Sequence, residues 1–168
     1  MQHYFKKSLG QHFLVNKSIL KKIVSIKDLR DKIIFEIGPG QGALTKEILQ
    51  NKPKKLILIE KDRNLRSGLL KLQEKFKDTV SYIYDDILNI NLKDFNYNKI
   101  QIISNLPYNI ASTLIIRLII DFDIVESMVL MVQKEVAERL SAEVSTHFYS
   151  RLSVLIQLHA VVEKVFEV

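Results

Sequence analysis

Residues 33–42 read IIFEIGPGQG, an apolar run that ends in a cluster of three glycines. The apolar run predicts a buried strand, and a helical pattern follows it from about Ala43 to Gln50. Glycines at this junction let the backbone turn sharply and approach a ligand closely. Pro39 and the incomplete G-x-G-x-x-G pattern argue against a dinucleotide pyrophosphate cradle, and the absence of a following Gly-Lys-Ser/Thr excludes a P-loop. From this stretch alone, an ordinary glycine turn remains the alternative.

Strand-like and helix-like patterns alternate along the rest of the chain. Further strands are predicted near residues 56–60, 79–84, 100–104, 127–132 and 161–167. Helices are predicted after Asn16 and near residues 62–76, 111–120, 134–142 and 148–158. This alternation predicts an α/β fold with a mostly parallel sheet and helices on both faces. Ligands of such sheets bind beyond the carboxyl ends of the strands, so motifs at strand ends are expected to share one site.

Composition is typical of one soluble globular domain: 168 residues, 47% hydrophobic and 26% charged. The chain has no cysteine, which excludes disulfides and thiolate metal sites and favours the cytoplasm. The most apolar segment, residues 113–120, is too short to span a bilayer, and the N-terminus lacks the apolar core of a signal peptide. We therefore predict a cytoplasmic protein.

Basic charge is concentrated in the N-terminal half of the chain. The net charge of +6 divides into +6 for residues 1–32, −1 for residues 33–45, +6 for residues 46–77 and −5 for residues 78–168. A basic half of this kind is where we expect contact with a phosphate backbone. A lysine-rich surface that only aids solubility is the alternative.

An acidic residue ends the second predicted strand. Glu60 lies 24 residues after Glu36, and an acid at about this distance from the first strand is placed to accept hydrogen bonds from both ribose hydroxyls of a nucleoside. The alternative is a solvated carboxylate paired with Lys61.

The third predicted strand ends in Asp85-Asp86. Asp86 could accept a hydrogen bond from an adenine amine beside the Ile87 N–H, or it could only cap a turn. A metal site at Glu36, Glu60 and Asp86 is discounted because no histidine neighbours these acids in sequence. A glycine turn with a ribose acid and an adenine-facing acid fits an adenosyl ligand without a pyrophosphate, and S-adenosylmethionine has this form.

The fourth predicted strand leads into Asn105-Leu106-Pro107-Tyr108. The Asn side-chain oxygen and the next backbone carbonyl can both accept hydrogen bonds from an exocyclic –NH2 group. Proline stiffens the turn, and the tyrosine offers a face on which a flipped-out base could stack. The methyl group of S-adenosylmethionine is the reagent that such an amine pocket needs.

The chain resembles the ribosomal RNA adenine N6-dimethyltransferases of the KsgA/Erm family. The resemblance rests on residues 7–14, 35–45, 60–62, 86, 105–108 and 133–140, which occur in the family's order. It implies a Rossmann-like methyltransferase fold that uses S-adenosylmethionine without a metal. Within the family, residues 151–155 are most similar to the branch that dimethylates N6 of two adjacent adenosines in the 3′-terminal stem-loop of 16S rRNA and acts in small-subunit biogenesis.

The resemblance also implies partners and site residues. Expected partners are small-subunit rRNA or the immature 30S particle, with no membrane, and the protein is expected to be a monomer. The implied cofactor-binding residues are His12, Leu14, Gly38, Glu60, Asp86 and Asn105. The implied catalytic residues are Asn105, Leu106, Pro107 and Tyr108.

Residues 1–168 are expected to form the methyltransferase domain, with residues 1–16 as a basic N-terminal arm. The small C-terminal helical domain of the family, and the second base-stacking aromatic that precedes it, are expected to be absent. Three alternatives remain: a DNA adenine methyltransferase, an Erm-type large-subunit rRNA methylase, and a protein that acts mainly in ribosome assembly without needing catalysis.

Overall fold

Five parallel strands form the sheet in the computed structural model of the chain, which describes residues 14–120 and 123–168. The strands are β1 (Ile33–Ile37), β2 (Lys55–Ile59), β3 (Val80–Ile83), β4 (Ile100–Asn105) and β5 (Val125–Met131). Their order is β3-β2-β1-β4-β5, and every neighbouring pair is parallel. The order reverses between β1 and β4, which is where sheets of this kind open a ligand crevice.

Six α-helices accompany these strands within the described residues. They are α1 (Lys17–Val24), α2 (Ala43–Gln50), α3 (Arg66–Lys75), α4 (Ala111–Ile120), α5 (Lys134–Leu140) and α6 (Arg151–Gln157). The Asn16 side chain caps α1 by accepting hydrogen bonds from the N–H groups of Ser18 and Ile19, as its position before an apolar helical pattern predicts. None of these helices is long and apolar enough to cross a membrane.

The helices cover both faces of the sheet. On one face, α1, α2 and α3 pack against strand residues such as Ile34 and Leu58. On the other face, α4, α5 and α6 pack against residues such as Phe35 and Ile102. Because neighbouring strand residues point to opposite faces, β1, β2 and β4 are apolar almost throughout. The expected doubly covered, Rossmann-like α/β fold is confirmed.

Two predictions about elements are corrected by the structure. The strand predicted at residues 161–167 is wrong, because this segment has no regular structure. Val162 and Phe166 would share one face of a strand, but they pack against opposite faces of the sheet. The helix predicted over residues 62–76 is divided, since Asp62 caps a 3-10 turn at Arg63–Leu65 before α3 begins.

Candidate functional site

One cavity lies at the carboxyl edge of the sheet, where the segments after β1 to β4 meet. It is lined by most of the residues that the sequence marked, namely Leu14, Gly38, Glu60, Asp86, Asn105, Leu106 and Pro107. Val15 and Leu20 extend its wall on the side of α1. Tyr108 follows Pro107 and is half-buried, but it is not among the described residues that line the cavity. His12 lies outside the described residues.

The glycine turn after β1 brings the backbone to the cavity wall. Gly38 has φ +65° and Gly40 has φ +60°, a left-handed conformation that favours glycine. The Gly38 N–H donates to the Ile59 carbonyl at 2.9 Å, which joins the turn to the end of β2. A Cβ at Gly38 would lie 3.6 Å from Pro107, so the turn faces the loop that carries Asn105.

Glu60 is buried and held by backbone donors. Its Oε1 accepts a hydrogen bond from the Asp62 N–H at 2.9 Å, and its Oε2 accepts one from the Gly40 N–H at 3.3 Å. Burial raises the pKa of Glu60, and these N–H groups partly oppose the rise. Glu60 is therefore not a solvated carboxylate, and Lys61 forms its ion pair with Asp86 instead.

Asp86 has two partners within the protein. Its Oδ1 accepts from the Leu88 N–H at 3.0 Å, which caps a 3-10 turn at Ile87–Asn89, and its Oδ2 lies 2.9 Å from Lys61 Nζ. Burial acts to raise the pKa of Asp86, but the Leu88 N–H and the Lys61 ammonium outweigh it and the pKa is lowered. Asp86 therefore caps a turn, as one of the two interpretations of the sequence predicted, and it also lines the cavity.

Glu36 also lines the cavity, although no sequence motif assigned it to the cofactor. It is 1% exposed, and its Oε2 has no hydrogen-bond partner among the described residues. Burial raises the pKa of Glu36 to about 8; Thr45 partly opposes this rise, and the Glu60 carboxylate adds to it. The signal was present in the sequence, because an acid within an otherwise apolar buried strand is costly unless a ligand or proton accounts for it.

The loop that carries Asn105 is anchored on both sides. The Ser104 hydroxyl donates to the Ile37 carbonyl of β1 at 2.5 Å, and the Leu106 N–H donates to the Met131 carbonyl of β5 at 3.0 Å. The Leu106 side chain is buried in the core. Asn105 therefore sits on a fixed support at the switch point, where a side-chain amide can be presented in one orientation.

Across residues 14–120 and 123–168, no group of three or more His, Asp or Glu side chains converges so as to hold a metal ion.

Comparison with known proteins places this chain in a family. The family model described as ribosomal RNA adenine dimethylase matches residues 2–168. Ribosomal RNA small subunit methyltransferase A of Pelagibacter ubique is 42% identical over 166 residues, which cover 97% of this chain and 62% of that protein. The protein of the same name from Sulfurihydrogenibium sp. is 46% identical over 157 residues, covering 90% of this chain and 60% of that protein.

A solved structure supports the same assignment. A dimethyladenosine transferase from Plasmodium falciparum superposes with a TM-score of 0.75 at 33% identity, covering 88% of this chain and 52% of that one. The chain thus spans about 60% of the length of the curated relatives it matches.

Proposed function

The chain belongs to the ribosomal RNA adenine dimethylase family, and we propose that it uses S-adenosylmethionine to dimethylate N6 of adenosine in rRNA. The names of its relatives favour small-subunit rRNA. We propose two adjacent adenosines in the 3′-terminal stem-loop of 16S rRNA as the target. The observation that carries the proposal is the meeting of a glycine turn, two acids and Asn105, each from a different strand end, at one cavity.

The described residues fit an adenosyl cofactor. The turn at Gly38 gives close backbone approach, and Glu60 offers a buried carboxylate of the kind that accepts ribose hydroxyls. Asp86 and Ile87 form the wall that we assign to adenine, and the unpartnered Oε2 of Glu36 can accept a hydrogen bond from the ligand. When bound there, S-adenosylmethionine would supply an electrophilic methyl group.

The loop after β4 would activate and position the target amine. Adenine N6 is a weak nucleophile because its lone pair is delocalised into the ring. The Asn105 side-chain oxygen and the Leu106 carbonyl would accept both N6 hydrogens, which favours a pyramidal nitrogen whose lone pair points toward the methyl group. Tyr108 would stack on the base, and the N6 proton would leave to water. Catalysis then consists of positioning and charge placement.

Basic side chains close to the cavity suit an RNA backbone. The α1 helix presents Lys17, Lys21 and Lys22 to solvent, while its Leu20 lines the cavity wall. Phosphate contacts from these lysines would place RNA beside the proposed methyl-transfer site. In this proposal residues 1–168 are the methyltransferase domain and residues 1–16 its basic arm. Action as a cytoplasmic monomer remains a prediction.

Transfer of tritiated methyl groups tests the proposal. The chain is incubated with unmethylated small-subunit particles, with large-subunit rRNA and with duplex DNA. Dimethyladenosine formed only in the small-subunit particles supports it, whereas label in large-subunit rRNA or in DNA would assign the site to a different substrate. Calorimetric titration with S-adenosylhomocysteine gives a second readout that does not require RNA, and no binding there would contradict the cofactor assignment.

A further inference from the structure

Arg117 of α4 reaches across to the segment that follows Asp86. Its Nη1 donates hydrogen bonds to the carbonyls of Ile87, at 3.2 Å, and Leu88, and its Nη2 donates to the Ile90 carbonyl at 2.7 Å. Arg117 is half-buried and is not among the described residues that line the cavity. Arg117 can therefore act on a ligand through the backbone that it holds, and its charge also helps to lower the pKa of the Asp86 carboxyl.

The backbone that Arg117 contacts contains no α-helix or strand. Between the end of β3 and the start of β4, the chain forms only short 3-10 turns at Ile87–Asn89 and Leu92–Phe95. Within the first turn the Ile87 carbonyl also accepts a hydrogen bond from the Ile90 N–H at 3.2 Å, so Arg117 adds a second donor to it. A guanidinium offers several N–H donors in a rigid planar arrangement, so one side chain can satisfy three carbonyls and fix their relative positions.

The segment held in this way is the wall that we assign to adenine. Asp86 and Ile87 line the cavity, and Ile87 is also buried in the core. We propose that Arg117 is a positioning residue that sets the Asp86 carboxylate and the Ile87 backbone for recognition of the adenine amine. This inference rests on the proposed function, because it concerns the cofactor of the same site.

Arg117→Lys and Arg117→Met test the inference in the intact chain. Lysine keeps the charge but loses the planar set of donors, and methionine loses both. Calorimetry measures the affinity for S-adenosylhomocysteine and for S-inosylhomocysteine, which carries a carbonyl in place of the adenine amine. We expect affinity for the adenine ligand to fall by about tenfold in Arg117→Met. We expect affinity for the inosine ligand to change much less, so that the preference for adenine shrinks.

A matched control lies in the same segment. Lys93→Met removes an exposed ion pair with Asp123, at 3.0 Å, and should leave both affinities unchanged. Arg117→Lys, as the milder change, provides a folded variant if methionine prevents folding, and its preference for adenine should fall as well.

Three results would count against the inference. Unchanged affinities in the folded Arg117 variants would overturn it and leave the proposed function intact. An equal loss for both ligands would mean general loosening of the fold and would also overturn it. Absence of S-adenosylhomocysteine binding by the unaltered chain would overturn the cofactor assignment and this inference together.

Discussion

Lys61 Nζ lies 2.9 Å from Asp86 Oδ2, so the residue that follows Glu60 neutralises the acid at the end of the next strand. This pair links the proposed ribose and adenine ends of the cavity. Two of the acids that line the cavity thus have different partners, since Glu60 is held by N–H groups while Asp86 has an ammonium partner.

Removing that ammonium should change stability in a pH-dependent way. The pKa of Asp86 is lower in the folded chain than its ordinary value, so the stability it contributes is present above the unfolded pKa and is lost as pH falls through the folded pKa. We expect Lys61→Met to lower the free energy of unfolding at pH 7 by about 0.5 kcal/mol, because a partly exposed ion pair contributes little. Urea unfolding at pH 7 and pH 2.5 measures this. An equal loss at both pH values would contradict the pairing.

The contribution of Glu36 to stability should have the opposite pH dependence. Its pKa is raised to about 8 in the folded chain, so its contribution is fully present below the unfolded pKa and is lost as pH rises toward 8. Glu36→Gln keeps the shape and removes the titration. We expect the free energy of unfolding of the parent chain to fall between pH 5 and pH 8 relative to that of Glu36→Gln. Urea unfolding measures both free energies. An equal pH dependence in the parent chain and in Glu36→Gln would show that Glu36 is not a buried neutral acid.

Glu60→Ala should weaken cofactor binding. The substitution removes the proposed ribose acceptor and releases the N–H groups of Gly40 and Asp62, so we expect affinity for S-adenosylmethionine to fall about 10-fold to 100-fold by calorimetry. Glu126→Gln is the control, since this acid lies far along the chain in β5 and pairs with Lys32. Equal affinity in Glu60→Ala and the parent chain would remove Glu60 from the site.

Asn105→Ala separates catalysis from binding. Loss of one acceptor for the N6 hydrogens should reduce methyl transfer by at least about 100-fold while cofactor affinity changes only a few-fold. Tritium transfer to small-subunit particles and calorimetry measure the two quantities. Asn98→Ala, at an exposed position before the other end of β4, should leave both unchanged. Undiminished transfer by Asn105→Ala would contradict the role given to this residue.

Substitution by alanine should have opposite effects on stability at Gly42 and Gly68. Gly42 has φ +76°, so Gly42→Ala should destabilise the fold by about 1 kcal/mol or more. The loss comes mainly from the backbone conformation, because the Leu72 methyl group that the new Cβ would meet at 2.8 Å can move. Gly68 lies within α3 with nothing within 4 Å of a Cβ, so Gly68→Ala should stabilise by about 0.5–1 kcal/mol. Denaturant unfolding measures both. Stabilisation by Gly42→Ala would contradict the left-handed turn.

Local patterns predicted the sheet and most of the cavity. The strands at IIFEI and residues 100–104 are mostly apolar. The acids at positions 60 and 86 follow strands, and the carboxyl ends of parallel strands lie at the same edge of the sheet. Side-chain partners could not be predicted in the same way. Lys61 pairs with Asp86 rather than with the adjacent Glu60, and Arg117 donates to carbonyls 27 to 30 residues away. Such contacts depend on how separate segments pack, which a local pattern does not report.

The segment at residues 161–167 shows that a local strand pattern does not ensure a strand. Its apolar residues match a strand pattern, yet strand formation requires a neighbouring strand whose backbone groups are available, and no local pattern reports this. Val162 and Phe166 instead contribute to the two cores separately.

The hydrogen bond from Ser104 to Ile37 joins residues 67 positions apart. A cavity closed by so distant a pairing is absent until the chain has folded at least through β4, since contacts of high sequence separation form only after the intervening loop has closed. During synthesis, a nascent chain that ends before β4 would therefore have no complete cofactor pocket. Free S-adenosylmethionine would then act as a selective ligand of fully folded molecules, raising their population by mass action and protecting them from proteolysis.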